Sequence, residues 1–194
     1  MIRMADQKHP ILLVDDEREL LYSFHGLLRQ DFEVHTAEGG RQALEVLAQH
    51  PIHVIMSDQR MPEMTGSELL AQACELYPET VRIIFTGYAD IKAVVDAVNR
   101  AHIYRYLTKP WDPDDLIELL RDACQEYDEL HAHRRLCRQA ESCLIKLQEF
   151  LSGLDAGRYG SLSSDGHEQA SQLQETTGSL LDRLSHETAD GRRP

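Results

Sequence analysis

Short apolar runs alternate with longer amphipathic stretches along the first two thirds of the chain. Four of the runs are mostly apolar and one alternates, which is typical of buried and half-buried strands. They lie at 11–14, 32–37, 52–58, 81–85 and 103–107. After each run, apolar residues recur at the 3.6-residue spacing of a helix. The predicted order is a strand followed by a helix, five times. This order indicates a parallel α/β sheet with right-handed crossovers and helices on both faces.

The helices are predicted from the same spacing and from their start and stop residues. They include residues 20–28, 43–47, 65–76, 89–99 and a stretch that begins near 112. Acidic residues from Asp112 to Asp115 suit the amino end of the last helix. No loop residue interrupts the chain from there to Leu151, so this helix is predicted to be a long C-terminal one.

Polar residues of complementary chemistry stand at the carboxyl ends of four strands. Asp15 and Asp16 follow the first strand, Asp58 ends the third, Thr86 follows the fourth and Lys109 follows the fifth. Taken singly, each has an ordinary explanation as a helix cap, a turn residue or a solvated lysine. Functional residues of parallel sheets gather outside the carboxyl ends of the strands. The joint placement therefore predicts one cluster at one edge of the sheet.

Three carboxylates in such a cluster repel one another unless cations lie between them. Lys109 supplies one positive charge, and a divalent ion would supply two more. A small number of hard oxygen ligands favours Mg²⁺, which binds through one or two carboxylates plus a phosphate. Asp58 would then attack phosphorus as a nucleophile, while the metal and Lys109 stabilise charge on the transferring group.

Residues 9–128 resemble a response-regulator receiver domain of two-component signalling. The resemblance rests on four motifs: Asp15-Asp16, Asp58 with Met61-Pro62 and Gly66, Thr86-Gly87, and Tyr106-Leu107-Thr108-Lys109-Pro110. It implies a flavodoxin-like, doubly wound sheet of five parallel strands. It also implies a phosphorelay function; a cytoplasmic location is expected separately, from the lack of a signal-peptide core and of a membrane-spanning run.

By this resemblance, Asp58 is the phosphoacceptor, and a sensor histidine kinase or phosphotransfer protein supplies the phosphoryl group from a phosphohistidine. The Mg²⁺ cofactor would be held by Asp15, Asp16, Asp58 and the backbone carbonyl of Arg60. The domain would switch protein contacts and would have no enzymatic activity beyond its own phosphotransfer and dephosphorylation.

The same resemblance assigns roles to residues of the fourth and fifth strands. Lys109 would bridge to the phosphoryl oxygens, and Thr86 would donate its hydroxyl to the phosphoryl group. Tyr106 would change rotamer as Thr86 moves. The Lys109–Pro110 peptide bond is expected to be cis.

Residues 129–151 are predicted to form a helical extension. Apolar positions recur there in steps of three and four, at Cys137, Ala140, Leu144, Leu147, Leu151 and Leu154. This heptad pattern favours a coiled coil and a homodimer through the extension. The alternatives are a helix that folds back on its own domain and one half of a truncated output module. Residues 152–194 are predicted to be a flexible polar tail with one marginal helix near 168–184.

The net charge of -13, without a basic stripe, argues against nucleic acid or anionic lipid as a partner. The chain has no signal peptide and no apolar run long enough to span a bilayer, so no membrane association is expected. The four cysteines form no Cys-x-x-Cys pair, which favours free thiols in the cytoplasm.

Two other classes of function compete with the phosphoacceptor. A Mg²⁺-dependent phosphatase with an aspartyl phosphate would carry a second acid two residues after its nucleophile, where Arg60 stands. A transcription factor would need a basic output domain or a helix-turn-helix pattern, and the chain shows neither. The chain would then be a fragment of a longer regulator whose output domain, enzymatic or DNA-binding, is absent.

Overall fold

The computed structural model describes residues 8–87, 102–155 and 164–190. The chain divides into two compact units, Met1–Leu130 and His131–Pro194. One helix, Pro113–Asp155, begins in the first unit and ends in the second. Within the described residues, no helix is long and apolar enough to cross a membrane.

The first unit contains one sheet of five parallel strands in the order β2-β1-β3-β4-β5. The strands are β1 Pro10–Val14, β2 Glu33–Ala37, β3 Val54–Asp58, β4 Val81–Gly87 and β5 Arg105–Lys109. The helices are α1 Arg18–Leu28, α2 Gly40–Gln49, α3 Gly66–Leu76 and α4 Pro113–Asp155. The predicted five-stranded parallel sheet and the long C-terminal helix are confirmed. The helix predicted over 89–99 lies outside the described residues.

The central strands are mostly apolar because both faces of the sheet are covered. Every residue of β1 and β3 is buried. One face carries a core that includes Phe24 and Leu116, and the opposite face carries a core that includes Leu69. Burial on both faces is what produces continuous apolar runs in parallel sheets. These runs end at the edge that holds the polar residues.

Strands β4 and β5 extend two residues past the apolar runs that predict them. Thr86 pairs with Thr108 and Gly87 pairs with Lys109, so the ladder continues through the polar residues. Backbone hydrogen bonds do not depend on side-chain polarity, and hydrophobic pattern alone therefore ends both strands too early. The longer pairing fixes Thr86 and Lys109 at the same edge.

The second unit contains the end of α4 and a further helix, α5, at Ser164–Asp190. The sequence predicted a flexible tail here, with a single marginal helix near 168–184. The observed helix is longer than the predicted one, and the residues that it buries are small. Ala170 and Thr177 are seven residues apart and both buried. Gln174 Nε2 donates to Ser152 Oγ at 3.4 Å, and a Cβ on Gly178 would lie 3.4 Å from Gln148 Nε2. The two helices form an antiparallel hairpin.

The predicted heptad positions of α4 divide between two sides of this hairpin. Cys137 and Leu151 are buried, whereas Leu147 is exposed. Part of the predicted seam is thus covered inside the same chain, at the end where Ser152 meets Gln174.

Candidate functional site

The carboxyl edge of the sheet brings Asp15, Asp58, Thr86 and Lys109 from four strand ends to one place. Lys109 Nζ donates to Asp58 Oδ1 at 2.8 Å and lies 3.6 Å from Asp15 Oδ2. The Lys109–Pro110 peptide bond is cis. The cluster predicted from the strand ends therefore exists for these residues.

Asp58 is a buried carboxylate with a donor on each oxygen. Lys109 donates to Oδ1, and the backbone N–H of Arg60 donates to Oδ2. The loop after β3 is tied down by backbone hydrogen bonds from Gln59 N to Phe85 O and from Gly66 N to Gln59 O. The Asp58 side chain is consequently held in place at the head of this loop.

Gly66 is the residue that lets helix α3 approach the backbone of Asp58. A Cβ at this position would lie 2.1 Å from Asp58 O, far inside van der Waals contact. Thr65 caps the helix, since it accepts from Glu68 N while Glu68 accepts from Thr65 N. The amino end of α3 is thereby fixed directly behind the Asp58 carbonyl.

Asp15 is buried with only 2% of its surface exposed. Its Oδ1 accepts from the backbone N–H of Glu17 at 2.8 Å. Its Oδ2 is buried without a hydrogen-bond partner among the described residues. Burial raises the pKa of this carboxyl, although Glu17 N–H and Lys109 oppose the rise. A buried carboxylate oxygen without a donor is the kind of ligand that a cation would satisfy.

Lys109 is a positive charge that contacts both of these carboxylates. Burial alone would lower the pKa of its ammonium, but the hydrogen bond and charge attraction to Asp58, with smaller contributions from Asp15 and Glu17, raise it overall. Its Nζ also lies 4.4 Å from the centroid of the Phe85 ring. A ring face at that distance stabilises a cation. Phe85 is a residue of the site that the sequence did not indicate, because it reads as an ordinary core position of β4.

The two residues predicted to relay a switch differ in burial. Thr86 is buried, and its Oγ1 donates to Gly87 O at 3.2 Å. Tyr106 is 55% exposed on β5, which is an edge strand within the described sheet. The hydroxyl of Thr86 is thus engaged with the backbone, while Tyr106 is about half exposed.

The residues present partly fit the predicted Mg²⁺ site. Asp15 and Asp58 provide two carboxylates close together, and one of them has the orphaned oxygen. Asp16 is exposed, and the described residues contain no group of three His, Cys, Asp or Glu side chains arranged around a metal. Two carboxylates with waters and a phosphate satisfy the coordination that Mg²⁺ prefers. The roles of Asp16 and of the Arg60 backbone carbonyl as Mg²⁺ ligands remain predictions from the sequence.

A sequence model of the response regulator receiver domain matches residues 11–121 of this chain. The chain belongs to the receiver-domain family. Receiver domains of this family are typically phosphorylated and typically bind Mg²⁺ at the phosphorylation site.

Curated relatives of the receiver domain are transcriptional regulators. The hydrogenase transcriptional regulatory protein HoxA of Cupriavidus necator is 40% identical over 122 residues, which is 63% of this chain and 25% of that protein. The DNA-binding transcriptional regulator NtrC of Escherichia coli K12 is 32% identical over 131 residues, covering 67% of this chain and 28% of that protein. The chain therefore matches about a quarter of the length of these relatives.

Two solved structures similar to the receiver domain match over nearly their whole length. A structure described as adenylate cyclase from Rhodopirellula baltica is 35% identical with a TM-score of 0.65, and the match covers 68% of this chain and 98% of that chain. The signal receiver domain of an HD domain-containing protein from Pseudomonas fluorescens Pf-5 is 37% identical with a TM-score of 0.61, covering 63% of this chain and 99% of that chain. The shared fold is that of the five-stranded unit.

Proposed function

We propose that this receiver domain accepts a phosphoryl group on Asp58, in a Mg²⁺-dependent reaction, from a sensor histidine kinase or a phosphotransfer protein. The observation that carries the proposal is the contact of Lys109 with Asp58 beside the orphaned oxygen of Asp15. This arrangement supports the proposal because Asp58, the proposed nucleophile, contacts an ammonium that also faces a buried carboxylate oxygen without a donor.

In the proposed reaction, an Asp58 carboxylate oxygen forms a bond to phosphorus as the nitrogen–phosphorus bond of a phosphohistidine breaks. Mg²⁺ would neutralise charge on the transferring group. Its ligands would be Asp15, Asp16, Asp58 and the backbone carbonyl of Arg60. Lys109 stabilises the developing negative charge from a position that the fold already fixes. Its contact with Asp58 Oδ1 also holds the carboxylate in one orientation.

Residues of the neighbouring strands would then respond to the phosphoryl group. Thr86 would exchange its bond to Gly87 O for a bond to a phosphoryl oxygen, and Tyr106 would follow by changing rotamer. A hydrogen bond to a charged group is worth about 1.5–3 kcal/mol. A difference of that size shifts two preexisting states by roughly ten- to a hundredfold. The output is a change in protein contacts, without turnover of another substrate.

The alternative of a phosphatase is disfavoured by Arg60. Its backbone N–H is engaged with Asp58, and the position two residues after the nucleophile carries no carboxylate. A second alternative is a longer regulator with an output domain, which the regulatory names of the curated relatives favour.

The helical hairpin supplies the protein contact in this proposal, and its partner is a second copy of the chain. Six large apolar residues of the hairpin are substantially exposed. Ile145 (49%) follows the line along which the two helices meet, and the other five are Leu136 63%, Leu147 39%, Phe150 48%, Leu173 50% and Leu180 41%. Each of these five directly precedes a buried or half-buried residue of this contact line, namely Cys137, Gln148, Leu151, Gln174 and Leu181. Because the helices are antiparallel, such positions lie on the same side of the hairpin in both.

Charge distribution favours a second copy as the occupant of this apolar face. Exposed neighbours on the same side are uncharged, namely Ala140, Cys143 and Thr176. Positions one residue after the contact line include Arg138, Glu149 and Asp182, on the opposite side of the hairpin. Two chains of net charge -13 repel, so an uncharged apolar face is where they can approach. A face that packs on itself by two-fold symmetry would bury these residues in a four-helix bundle.

The single tryptophan, Trp111, reports on the proposed reaction. It follows Pro110 and stacks on Phe24 at 5.0 Å, close to the end of β5. Adding acetyl phosphate and Mg²⁺ should change its fluorescence with saturating kinetics in the natural chain. Asp58→Asn should show the Mg²⁺ response without the phosphodonor response. An identical phosphodonor response in both proteins would overturn the proposal.

A further inference from the structure

Two histidines meet at the opposite edge of the sheet, far from Asp58. His9 directly precedes β1 and His53 directly precedes β3. Their Nδ1 atoms are 2.9 Å apart, and the rings meet edge to face with centroids 5.1 Å apart. An N–N distance of this length is a hydrogen bond. One imidazole must therefore donate and the other must accept.

This pair also contacts the last part of helix α4 that belongs to the first unit. The His53 ring stacks on Tyr127, with centroids 3.9 Å apart and planes 12° apart. His9 Nε2 lies 3.6 Å from Asp128 Oδ2. The unit ends at Leu130, so both contacts attach the end of its helix to the amino edge of the sheet.

The hydrogen bond limits how many protons the pair can hold. With one added proton, His9 can donate from Nδ1 to His53 and present its Nε2 proton to Asp128, while His53 accepts as neutral imidazole. With a second added proton, neither Nδ1 can accept and two cations are in contact. The contact then changes from attractive to repulsive.

We propose that His9 and His53 form a proton-sensitive clamp, which holds α4 at Tyr127 and Asp128 and opens when both imidazoles are protonated. The proposal concerns the unphosphorylated chain and does not rest on phosphorylation of Asp58. It assigns a regulatory contact to an edge of the sheet that the phosphorylation chemistry does not use.

The groups around the clamp leave the imidazoles as its proton sensor. On α4, Cys124 is kept a neutral thiol because burial and Asp128 raise its pKa to about 12. Burial, with Glu79 before β4 and Asp128, also raises the pKa of Tyr127. Asp31, in the turn after α1, pairs with Arg121 at 2.8 Å. Imidazole is the side chain that ordinarily changes charge between about pH 5 and 8.

The sign of the effect follows from proton counting. The closed clamp holds at most one added proton, whereas two separated histidines can hold two. Acid therefore favours the open form, because that form binds more protons. The contribution of the clamp is therefore present at higher pH and is lost as acid supplies the second proton.

The test measures imidazole ¹⁵N signals and amide exchange of residues 121–130 in the unphosphorylated chain with EDTA present. At pH 7.5, one Nδ1 should be protonated and the other should be a hydrogen-bond acceptor. Lowering the pH to 5.5 should protonate both Nδ1 atoms. It should also raise the amide exchange rates roughly five- to tenfold, after correction for the intrinsic pH dependence of amide exchange. His53→Gln retains an acceptor that cannot titrate, so it should remove this dependence on pH.

His50→Gln is the matched control, because His50 is an exposed histidine whose ring packs on that of His35, with centroids 4.5 Å apart, and not on His9 or Tyr127. It should leave the exchange rates of residues 121–130 as they are in the natural chain at both pH values. Equal pH dependence in His53→Gln and the natural chain would overturn the proposal. So would two protonated Nδ1 atoms at pH 7.5, a result that needs no variant to fold.

Discussion

Lys109 Nζ lies 2.8 Å from Asp58 Oδ1 and 3.6 Å from Asp15 Oδ2, so one ammonium faces carboxylates from two strands at unequal distances. The nearer carboxylate receives the hydrogen bond, and the farther one keeps an oxygen without a donor among the described residues. The pair of carboxylates carries more negative charge than Lys109 can balance. This imbalance is the physical basis for expecting a divalent cation at the site.

Replacing Lys109 tests what the ammonium contributes to the reaction. Lys109→Met should slow phosphorylation by acetyl phosphate by about 100-fold, because a positioned stabiliser of developing charge is lost. The rate is measured by intact mass over time. Lys146→Met removes an exposed lysine elsewhere and should leave the rate unchanged. Equal rates for Lys109→Met and the natural chain would remove Lys109 from the proposed mechanism.

The same substitution has a predicted effect on stability. Lys109→Met should lower the free energy of unfolding by about 1 kcal/mol, a small value because the side chain is about one third exposed. The folded-state pKa of Lys109 is raised, so its contribution is present below the ordinary lysine pKa of about 10.4 and is lost as the pH rises through the folded value. Urea titrations should show a constant difference from pH 6 to 9. A difference that vanishes within that range would contradict the assignment.

Asp15 is predicted to lower the stability of the metal-free fold and to be required for Mg²⁺ binding. Asp15→Asn removes a buried charge that is poorly paired, and it should raise the free energy of unfolding by about 1 kcal/mol in the absence of Mg²⁺. The same substitution should also abolish Mg²⁺ binding, which is measured by the fluorescence of Trp111. A destabilised Asp15→Asn protein that still binds Mg²⁺ would contradict both expectations.

Acid should weaken Mg²⁺ binding through the same residue. Burial raises the pKa of Asp15, so its carboxyl becomes protonated at a higher pH than an ordinary aspartate of about 3.9. Folding makes ionisation of Asp15 less favourable than it is in the unfolded chain, so this cost is fully present above the raised pKa and disappears as the pH falls below the ordinary value. Mg²⁺ titrations at decreasing pH should therefore show that the affinity begins to fall at a pH above the ordinary aspartate pKa. Affinity that stays constant down to that range would count against Asp15 as a ligand.

Gly66 is predicted to be irreplaceable for a steric reason. Gly66→Ala would place a Cβ 2.1 Å from Asp58 O, so the loop and the phosphoacceptor must move. It should cost about 2 kcal/mol of stability, within the range for overpacking, and should slow phosphorylation. Gly26→Ala is the matched control, because no atom lies within 4 Å of a Cβ there on α1. That variant should be slightly stabilised and should react normally. Equal stabilities of the two variants would contradict the steric argument.

The proposed homodimer depends on one side of the hairpin. Leu147→Gln combined with Leu180→Gln should convert the dimer to a monomer in light scattering, because both residues lie on the apolar side. Ile145→Gln is the matched control: Ile145 is 49% exposed on the same helix but follows the contact line instead of preceding it. It should remain dimeric. A monomeric natural chain, or a dimer that survives the double substitution, would exclude this face.

Sequence pattern predicted the sheet and much of the site because both depend on strand ends. Apolar runs followed by Asp15, Asp58, Thr86 and Lys109 place these residues at one edge in any parallel sheet. The roles of Gly66 and Phe85 could not be predicted, since a close approach and a ring beneath Lys109 depend on distances between elements. Helix α5 was underestimated because Ala170 and Thr177, which are not strongly apolar, form its buried line.

Intact mass after incubation with acetyl phosphate tests the central claim most directly. The natural chain with Mg²⁺ should gain one phosphoryl group, which peptide mapping should locate on Asp58. The adduct should be absent in Asp58→Asn and should be strongly reduced when EDTA replaces Mg²⁺. An adduct of equal yield in Asp58→Asn, or no adduct on the natural chain with Mg²⁺, would contradict the claim that Asp58 is the phosphoacceptor.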